Sequence, residues 1–187
     1  MIRVDLRADL REVDALLRGI KNGTPTVMSR SINRVLTPLR ATAARAIADD
    51  TRLPVRVARG ALTIRRAKSS RLVGSVDASG KRVALIEFTA RPTKAGVSYD
   101  LGRGRKVAQG TFIPASPPLS KDFTRRGVFR RLGKPRLPVV FLRGPSLPRV
   151  FVQRKITDAL RAVANTRMRR EIQAQIKALL SGFAPPR

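Results

Sequence analysis

The chain has 187 residues, and its 40 Lys and Arg against 12 Asp and Glu give a formal net charge of +28. It contains no His and no Cys, so it lacks the commonest general base, the commonest thiol nucleophile and most transition-metal ligands. These features argue against an enzyme and against a metal or other cofactor. They favour binding to polyanions or to acidic partners.

The hydrophobic content is sufficient for a folded core. It amounts to 42% of the residues, which argues against wholesale disorder and predicts one domain over residues 1–187. No run of about 18 apolar residues is present, so we expect no membrane-spanning segment. Residues 1–14 mix acids and bases without an apolar stretch, which argues against a signal peptide.

Two amphipathic helices are predicted in the first 50 residues. Apolar side chains recur at spacings of three and four over residues 8–20, and again from Pro25 to about Asp50. Thr24 is the expected N-cap of the second helix, because Pro favours the first helical position. Pro38 lies inside this helix and should kink or divide it.

Period-two patterning follows a short predicted helix over residues 55–61. Leu72–Val76 and Val83–Phe88 predict two strands, and the turn residues 77–80 between them predict a hairpin. Further strands are predicted at Val97–Leu101 and Thr111–Ile113, separated by a glycine-basic loop over residues 102–106.

The last third of the chain combines an irregular basic segment with a long helix. Residues 114–138 are rich in Pro, Ser, Arg and Lys and lack clear periodicity, which predicts an extended basic loop or arm. Gly144–Pro148 predicts a turn, and helical spacing from about Val152 to Ser181 predicts a long helix that Gly182 stops. Residues 183–187 are expected to fray.

This order of elements predicts an α+β fold. Long N-terminal and C-terminal helices should pack on a small antiparallel sheet, with the extended basic loop or arm as a separate feature.

The basic residues form groups, mostly beyond residue 50. Residues 51–187 hold 31 basic and six acidic residues, an excess too large for solvated faces alone, so we expect contact with nucleic acid or with acidic subunits. Aromatic residues are few, which favours nonspecific phosphate contact over base stacking. The candidate contact residues are Arg65, Arg66, Lys68 and Arg71; Arg103, Arg105 and Lys106; and Arg125, Arg126, Arg130, Arg131, Lys134 and Arg136. A further basic group includes Arg167, Arg169 and Arg170.

Little in the sequence suggests catalysis. Asp49–Asp50 is the sole adjacent pair of carboxylates, and solvated side chains beside Arg45 and Arg52 explain it more simply than a metal site does. The Gly102–Arg105 stretch lacks the Gly-Lys-Ser/Thr that a P-loop requires. A phosphoryl- or nucleotidyl-transfer enzyme would need clustered carboxylates for metal binding, and these are absent.

Several short stretches together resemble a known family. They are Ser31-Ile-Asn-Arg-Val35, Thr51–Ala67 as a basic helix, Thr111-Phe-Ile113, Phe129-Arg-Arg131, Leu137-Pro-Val139, and Gly144-Pro-Ser-Leu-Pro148 before the last helix. In this order, over roughly residues 25–180, they resemble the minor tail protein Z family of tailed phages. The resemblance rests on the order of the stretches, and residues 114–127 match no stretch of it.

The resemblance implies a structural virion protein without enzymatic activity. It would complete the head-proximal end of the tail and join it to the head, after assembly in the host cytoplasm. Its partners would be further copies in a homo-oligomer, expected as a hexameric ring, together with tail terminator, tail tube and head-connector proteins. Nonspecific contact with double-stranded DNA would explain the charge. The alternative is a free nonspecific nucleic-acid-binding protein of ribosomal or nucleoid type.

The irregular segment is expected to act in assembly. Val128, Phe129 and Leu132 are its sizeable apolar residues between Phe123 and Leu137. We expect these three side chains to dock on a neighbouring subunit or tail protein, with the arginines facing acidic residues or a ring lumen.

Overall fold

The computed structural model describes residues 13–17, 20–114 and 127–182. The chain divides into two compact units. The helical unit comprises Met1–Ala43, Leu62–Asp77 and Gln153–Arg187, and the sheet unit comprises Ala44–Ala61 and Ala78–Val152. Each unit is assembled from separate stretches of the chain, so neither is a continuous sequence domain. The single domain expected over residues 1–187 remains a prediction.

Helix α1 spans Gly23–Thr51 and confirms the predicted long helix. It begins one residue before the expected N-cap Thr24. Pro38 lies inside it and does not divide the helix, so of the two effects expected the kink stays a prediction. Pro38 removes one backbone donor, while the bonds of the neighbouring turns remain available to continue the helix. Of the helix predicted over residues 8–20, Val13–Leu16 are helical, and residues 8–12 and 18–19 lie outside the described residues.

The helical unit contains the first part of α1, two short strands and a second long helix. Strand β1 spans Leu62–Arg65 and pairs with β2, Ser75–Ala78. The C-terminal helix α4 spans Arg154–Leu180 and confirms the prediction. Gly182 has a φ of +70°, and its amide bonds to the Leu179 carbonyl at 3.3 Å, as a glycine helix stop requires. The buried side chains of this unit include Val27, Val35, Leu36, Leu160, Ala164, Met168 and Ile172.

The sheet unit contains two short helices and the remaining strands. The helices are α2, Val55–Gly60, and α3, Leu147–Phe151. The strands are β3, Arg82–Ala84; β4, Arg91–Thr93; β5, Gly96–Asp100; β6, Arg105–Gln109; β7, Thr111–Phe112; β8, Phe129–Arg131; β9, Val139–Phe141; and β10, Arg143–Ser146. They form the antiparallel sheets β10-β3, β4-β5-β6 and β7-β8-β9.

These elements confirm the α+β class, with long helices towards both ends of the chain. The described strands form several small sheets in place of the single sheet expected. The strands predicted at residues 97–101 and 111–113 appear as β5 and β7, and the short helix predicted over residues 55–61 appears as α2. The basic helix that the resemblance implies over residues 51–67 ends at Gly60, and the next residues form β1.

The predicted hairpin over residues 72–88 is wrong. Strand β2 pairs with β1, and β3 pairs with β10, which comes much later in the chain. The Ser79 amide donates to the Ala61 carbonyl at 2.8 Å, so β2 continues alongside the chain that precedes β1. Residues Leu85–Glu87 form a 3-10 turn, where a strand was expected. Apolar alternation identified strand-like residues here but carries no information on which strand is the partner.

Two predicted loops also differ from the structure. Arg105 and Lys106 belong to β6, and the turn before it is Gly102–Gly104, whose two glycines have φ values of +86° and +88°. The turn expected at Gly144–Pro148 is wrong, because this stretch holds most of β10 and the start of α3. A Cβ on Gly144 would collide with the Phe88 ring, so close approach to a buried aromatic explains this glycine better than a turn does.

The described part of the predicted arm contains core residues. Val128 and Phe129 are buried, and the Phe129 ring contacts Phe141 edge-on, with 5.4 Å between the ring centroids. The expectation that these two side chains dock on another molecule is therefore wrong, because they already pack within the sheet unit. Leu132 is 63% exposed and stays a candidate for docking. Residues 115–126, with Arg125 and Arg126, lie outside the described residues, as do residues 183–187.

No helix in the described ranges is both long and apolar enough to cross a membrane.

Candidate functional site

The structure brings one of the predicted basic groups together in a concave site. Arg65, Arg66, Lys68 and Arg71 line an open cavity of about 490 Å³, together with Ser70, Val73, Ser75 and Asp77. We call this site the basic cleft. It belongs to the helical unit and is formed by the chain that runs from the end of β1 to β2.

A tight turn gives the cleft its shape. The backbone groups of Lys68 and Arg71 bond to each other in both directions, at 3.0 and 2.9 Å. Ser69 and Ser70 form the tip of this turn, and both are exposed. The chain therefore folds back on itself between β1 and β2, which places the cations before and after the turn around one cavity.

The cleft is fixed to helix α1 through one side-chain amide. Asn33 donates from Nδ2 to the Ala67 carbonyl at 3.0 Å and accepts from the Ala67 amide at Oδ1 at 2.8 Å. Both backbone groups of Ala67 are thus satisfied by a single side chain. Ala67 itself is buried, so these groups would otherwise be costly to leave unpaired.

A glycine allows the other side of the cleft to approach the same helix. A Cβ on Gly74 would lie 2.7 Å from Ile32 Cγ2 and 2.8 Å from Leu36 Cδ1, so any side chain there would force one of these groups to move. Leu62 and Val76 bury their side chains at the base of the strand pair. The cleft thus rests on α1 through Asn33, Ala67 and Gly74.

The electrostatics of the cleft are dominated by exposed cations. Arg65 Nε lies 2.8 Å from Asp77 Oδ2, and Ser75 Oγ donates to the same oxygen at 3.2 Å, which holds one cation at the cleft wall. Within the described part of the chain, no carboxylate lies within 4 Å of Arg66, Lys68 or Arg71. Three exposed cations around one cavity suit phosphate or carboxylate groups, and salt would weaken such contacts.

The other predicted groups are more dispersed. Arg105 donates to the Thr89 carbonyl at 3.0 Å and to Ser98 Oγ at 2.9 Å. Its guanidinium therefore helps to stabilise the sheet unit. The Arg131 guanidinium lies 5.4 Å from the centroid of the Phe112 ring. Arg103 and Arg130 are exposed, as are Lys106, Lys134 and Arg136.

Sequence reasoning missed the residues that position the cleft. Asn33 lies within the stretch that carried the family resemblance, but its role was not identified. The one feature of the sequence that could have indicated it is that Asn33 is a polar residue next to the apolar stripe of α1. Gly74 and Asp77 gave no signal of their own. No group of three or more carboxylates among the described residues is placed to hold a metal ion.

Comparison with known proteins gives one match. Residues 11–183 match the family model described as prophage minor tail protein Z (GPZ). The match covers nearly the whole chain and confirms the resemblance found in the sequence. Neither a curated protein nor a solved structure matches the chain.

The two hydrogen bonds between Asn33 and the backbone of Ala67 predict a specific loss of stability when Asn33 is replaced. Asn33→Ala would leave a buried amide and carbonyl unpaired, and we expect a loss of about 2 kcal/mol in the free energy of unfolding. Asn33→Asp keeps the acceptor but places a carboxylate oxygen opposite the Ala67 carbonyl, so it should not recover the lost stability. Urea unfolding followed by circular dichroism measures both.

Asn165→Ala is the matched control for this prediction. Asn165 is an exposed residue of α4, where alanine is the better helix former. This variant should be as stable as the wild type or slightly more so. Equal effects of the alanine substitutions at positions 33 and 165 would contradict the anchoring role of Asn33.

Proposed function

Because the chain belongs to the prophage minor tail protein Z family, we propose that it completes the head-proximal end of a phage tail and joins the tail to the head. Membership of this family makes the protein a structural phage tail protein and therefore a virion component. The match over residues 11–183 is the observation that carries the proposal. No catalytic step is assigned to any residue.

The basic cleft supports a contact with the genome. DNA must pass the junction between head and tail, and a protein there needs to hold phosphates without reading bases, because the genome must later slide out. Exposed Arg and Lys side chains supply such sequence-independent contact. The Phe129 ring is buried and packs against Phe112 and Phe141 within the sheet unit, so it is not available for base stacking.

The proposed assembly is a hexameric ring that matches the sixfold symmetry of a tail. Its neighbours would be tail terminator, tail tube and head-connector proteins, and assembly would take place in the host cytoplasm. A charge of +28 on each copy opposes association of identical chains. The ring therefore needs DNA or acidic neighbours to hold it together.

A free nucleic-acid-binding protein of ribosomal or nucleoid type is the competing function. It would share the charge and the basic cleft. It would not share the family match, which is why we favour the tail protein. Location within purified particles separates the two functions.

Removal of the protein should block joining of tails to heads. Phage particles made without it should accumulate as separate tails and DNA-filled heads, and the wild-type gene supplied in trans should restore joined particles. Electron microscopy with an antibody against the protein should label the head-proximal end of complemented tails. Joined, infectious particles without the protein, or label at the distal end, would contradict the proposal.

The cleft should contribute a large share of the binding to duplex DNA of any sequence. For six to ten phosphate contacts, we expect affinity to fall by about 10³–10⁵ between roughly 50 and 200 mM salt. The triple variant Arg66→Gln, Lys68→Gln, Arg71→Gln should make the negative slope of log affinity against log salt shallower by about 3, or about 0.9 for each lost contact. Fluorescence anisotropy on two unrelated duplexes measures both quantities.

The control removes the same charge from elsewhere in the helical unit. Arg167, Arg169 and Arg170 are exposed residues of α4, and their replacement by Gln should change the slope much less. If both triple variants make the slope shallower by the same amount, total charge rather than the cleft binds the DNA. A flat salt response or a preference for one duplex would also count against the proposal.

A further inference from the structure

The connection between β8 and β9 is an exposed loop on a fixed base. Strands β8 and β9 pair in register from Phe129↔Phe141 to Arg131↔Val139. The Leu132 amide then donates to the Pro138 carbonyl at 3.2 Å, which closes the loop just beyond the strands. We call residues 132–138 the β8–β9 loop.

The base of this loop is anchored in the core of the sheet unit. Val128 is fully buried, and its carbonyl accepts from the Leu142 amide at 2.8 Å. The Phe129 ring packs between Phe141 and Phe112, with centroid distances of 5.4 and 6.2 Å. A Cβ on Gly127 would collide with the Phe141 ring. The loop therefore projects from tightly packed residues.

Two leucines mark the ends of the loop and face solvent. Leu132 is 63% exposed and Leu137 is 69% exposed, the highest values among the large apolar side chains in the described ranges. All residues from 132 to 138 are exposed. Because one backbone bond closes the loop, both leucines lie near its base, and burial of their side chains in a partner would be favourable.

The charge around the leucines restricts the partner. Residues 127–152 contain six basic residues and no acidic residue, and Lys134 and Arg136 lie between the two leucines and are exposed. A second copy of this strongly basic chain would be repelled by the loop. DNA would satisfy the cations but offers no apolar pocket for the leucines without unstacking its bases.

We propose that the β8–β9 loop docks into an apolar pocket rimmed by carboxylates on an acidic tail protein. Leu132 and Leu137 enter the pocket, and Lys134 and Arg136 pair with its rim. The backbone of Pro135 has a fixed φ, and the base is already packed, so less freedom is lost on docking than for an unstructured segment. The inference rests on the proposed function, because it assumes that the partner belongs to the phage tail.

The test counts copies of the protein in purified tails. Phage lacking the protein is complemented with the wild-type chain, with Leu132→Ser/Leu137→Ser, or with Val152→Ser, and copies per tail are measured by quantitative mass spectrometry. Val152 is 61% exposed in the same unit, which makes it a matched control. We expect the double leucine variant to lose at least about tenfold in occupancy, because both apolar anchors are removed, and Val152→Ser to behave as wild type.

A charge variant covers the case in which the leucine variant fails to fold. Lys134→Gln/Arg136→Gln should also lower occupancy, whereas Lys81→Gln/Arg82→Gln, at two other exposed residues of the sheet unit, should not. Circular dichroism and a cooperative melt check that each variant is folded. DNA affinity should remain within about twofold of wild type for Leu132→Ser/Leu137→Ser, because serine removes no charge.

A photo-crosslinking residue at position 137, with position 152 as control, identifies what the loop touches in assembled tails. A crosslink to an acidic tail protein from position 137 alone supports the proposal. Crosslinks confined to a second copy or to DNA, or equal occupancy of the loop variants and wild type, would overturn it. If the wild-type chain is itself absent from purified tails, the proposed function fails instead.

Discussion

The paired hydrogen bonds between Asn33 and the backbone of Ala67 hold the basic cleft in place. They join the middle of a long helix to a chain segment 34 residues later, and the contact of Gly74 with Ile32 and Leu36 fixes the same segment from its other side. Four cations around one small cavity repel one another, so a mobile loop would spread them apart. The contacts with α1 keep the segment that carries these cations folded around one cavity. Asp77 contributes by holding Arg65 at the wall of the cleft.

The basic cleft and the β8–β9 loop use charge in different ways. The basic cleft belongs to the helical unit and groups exposed cations around one cavity, which suits a polyanion that must move. The β8–β9 loop belongs to the sheet unit and combines cations with two exposed leucines, which suits a partner that must stay bound. A charge of +28 on each chain disfavours contact between copies. With one surface that lets DNA slide and another that stays bound to an acidic protein, such a chain can still assemble.

Local patterns predicted the helices and the fold class, but not the pairing of strands. The stripes of α1 and α4 depend on neighbours three and four residues apart, which the sequence displays directly. The partners of β2 and β3 depend on contacts with Leu62–Arg65 and Arg143–Ser146, which no local pattern encodes. Composition misled at residues 127–138, where Gly, Pro and Arg suggested an arm although Val128 and Phe129 are buried. The basic group at residues 65–71 was predictable from charge, whereas its concavity depends on Asn33 and Gly74, whose roles appear only in three dimensions.

The central claim is that the basic cleft faces the genome at the junction of head and tail. Cryo-electron microscopy of joined, DNA-filled particles tests it most directly. The account predicts a ring of copies at the head-proximal end of the tail, with residues 65–71 facing the lumen and within about 10 Å of DNA, the distance over which exposed charges interact at moderate salt. A ring whose cleft is covered by another protein, or turned to the outside of the particle, would contradict it.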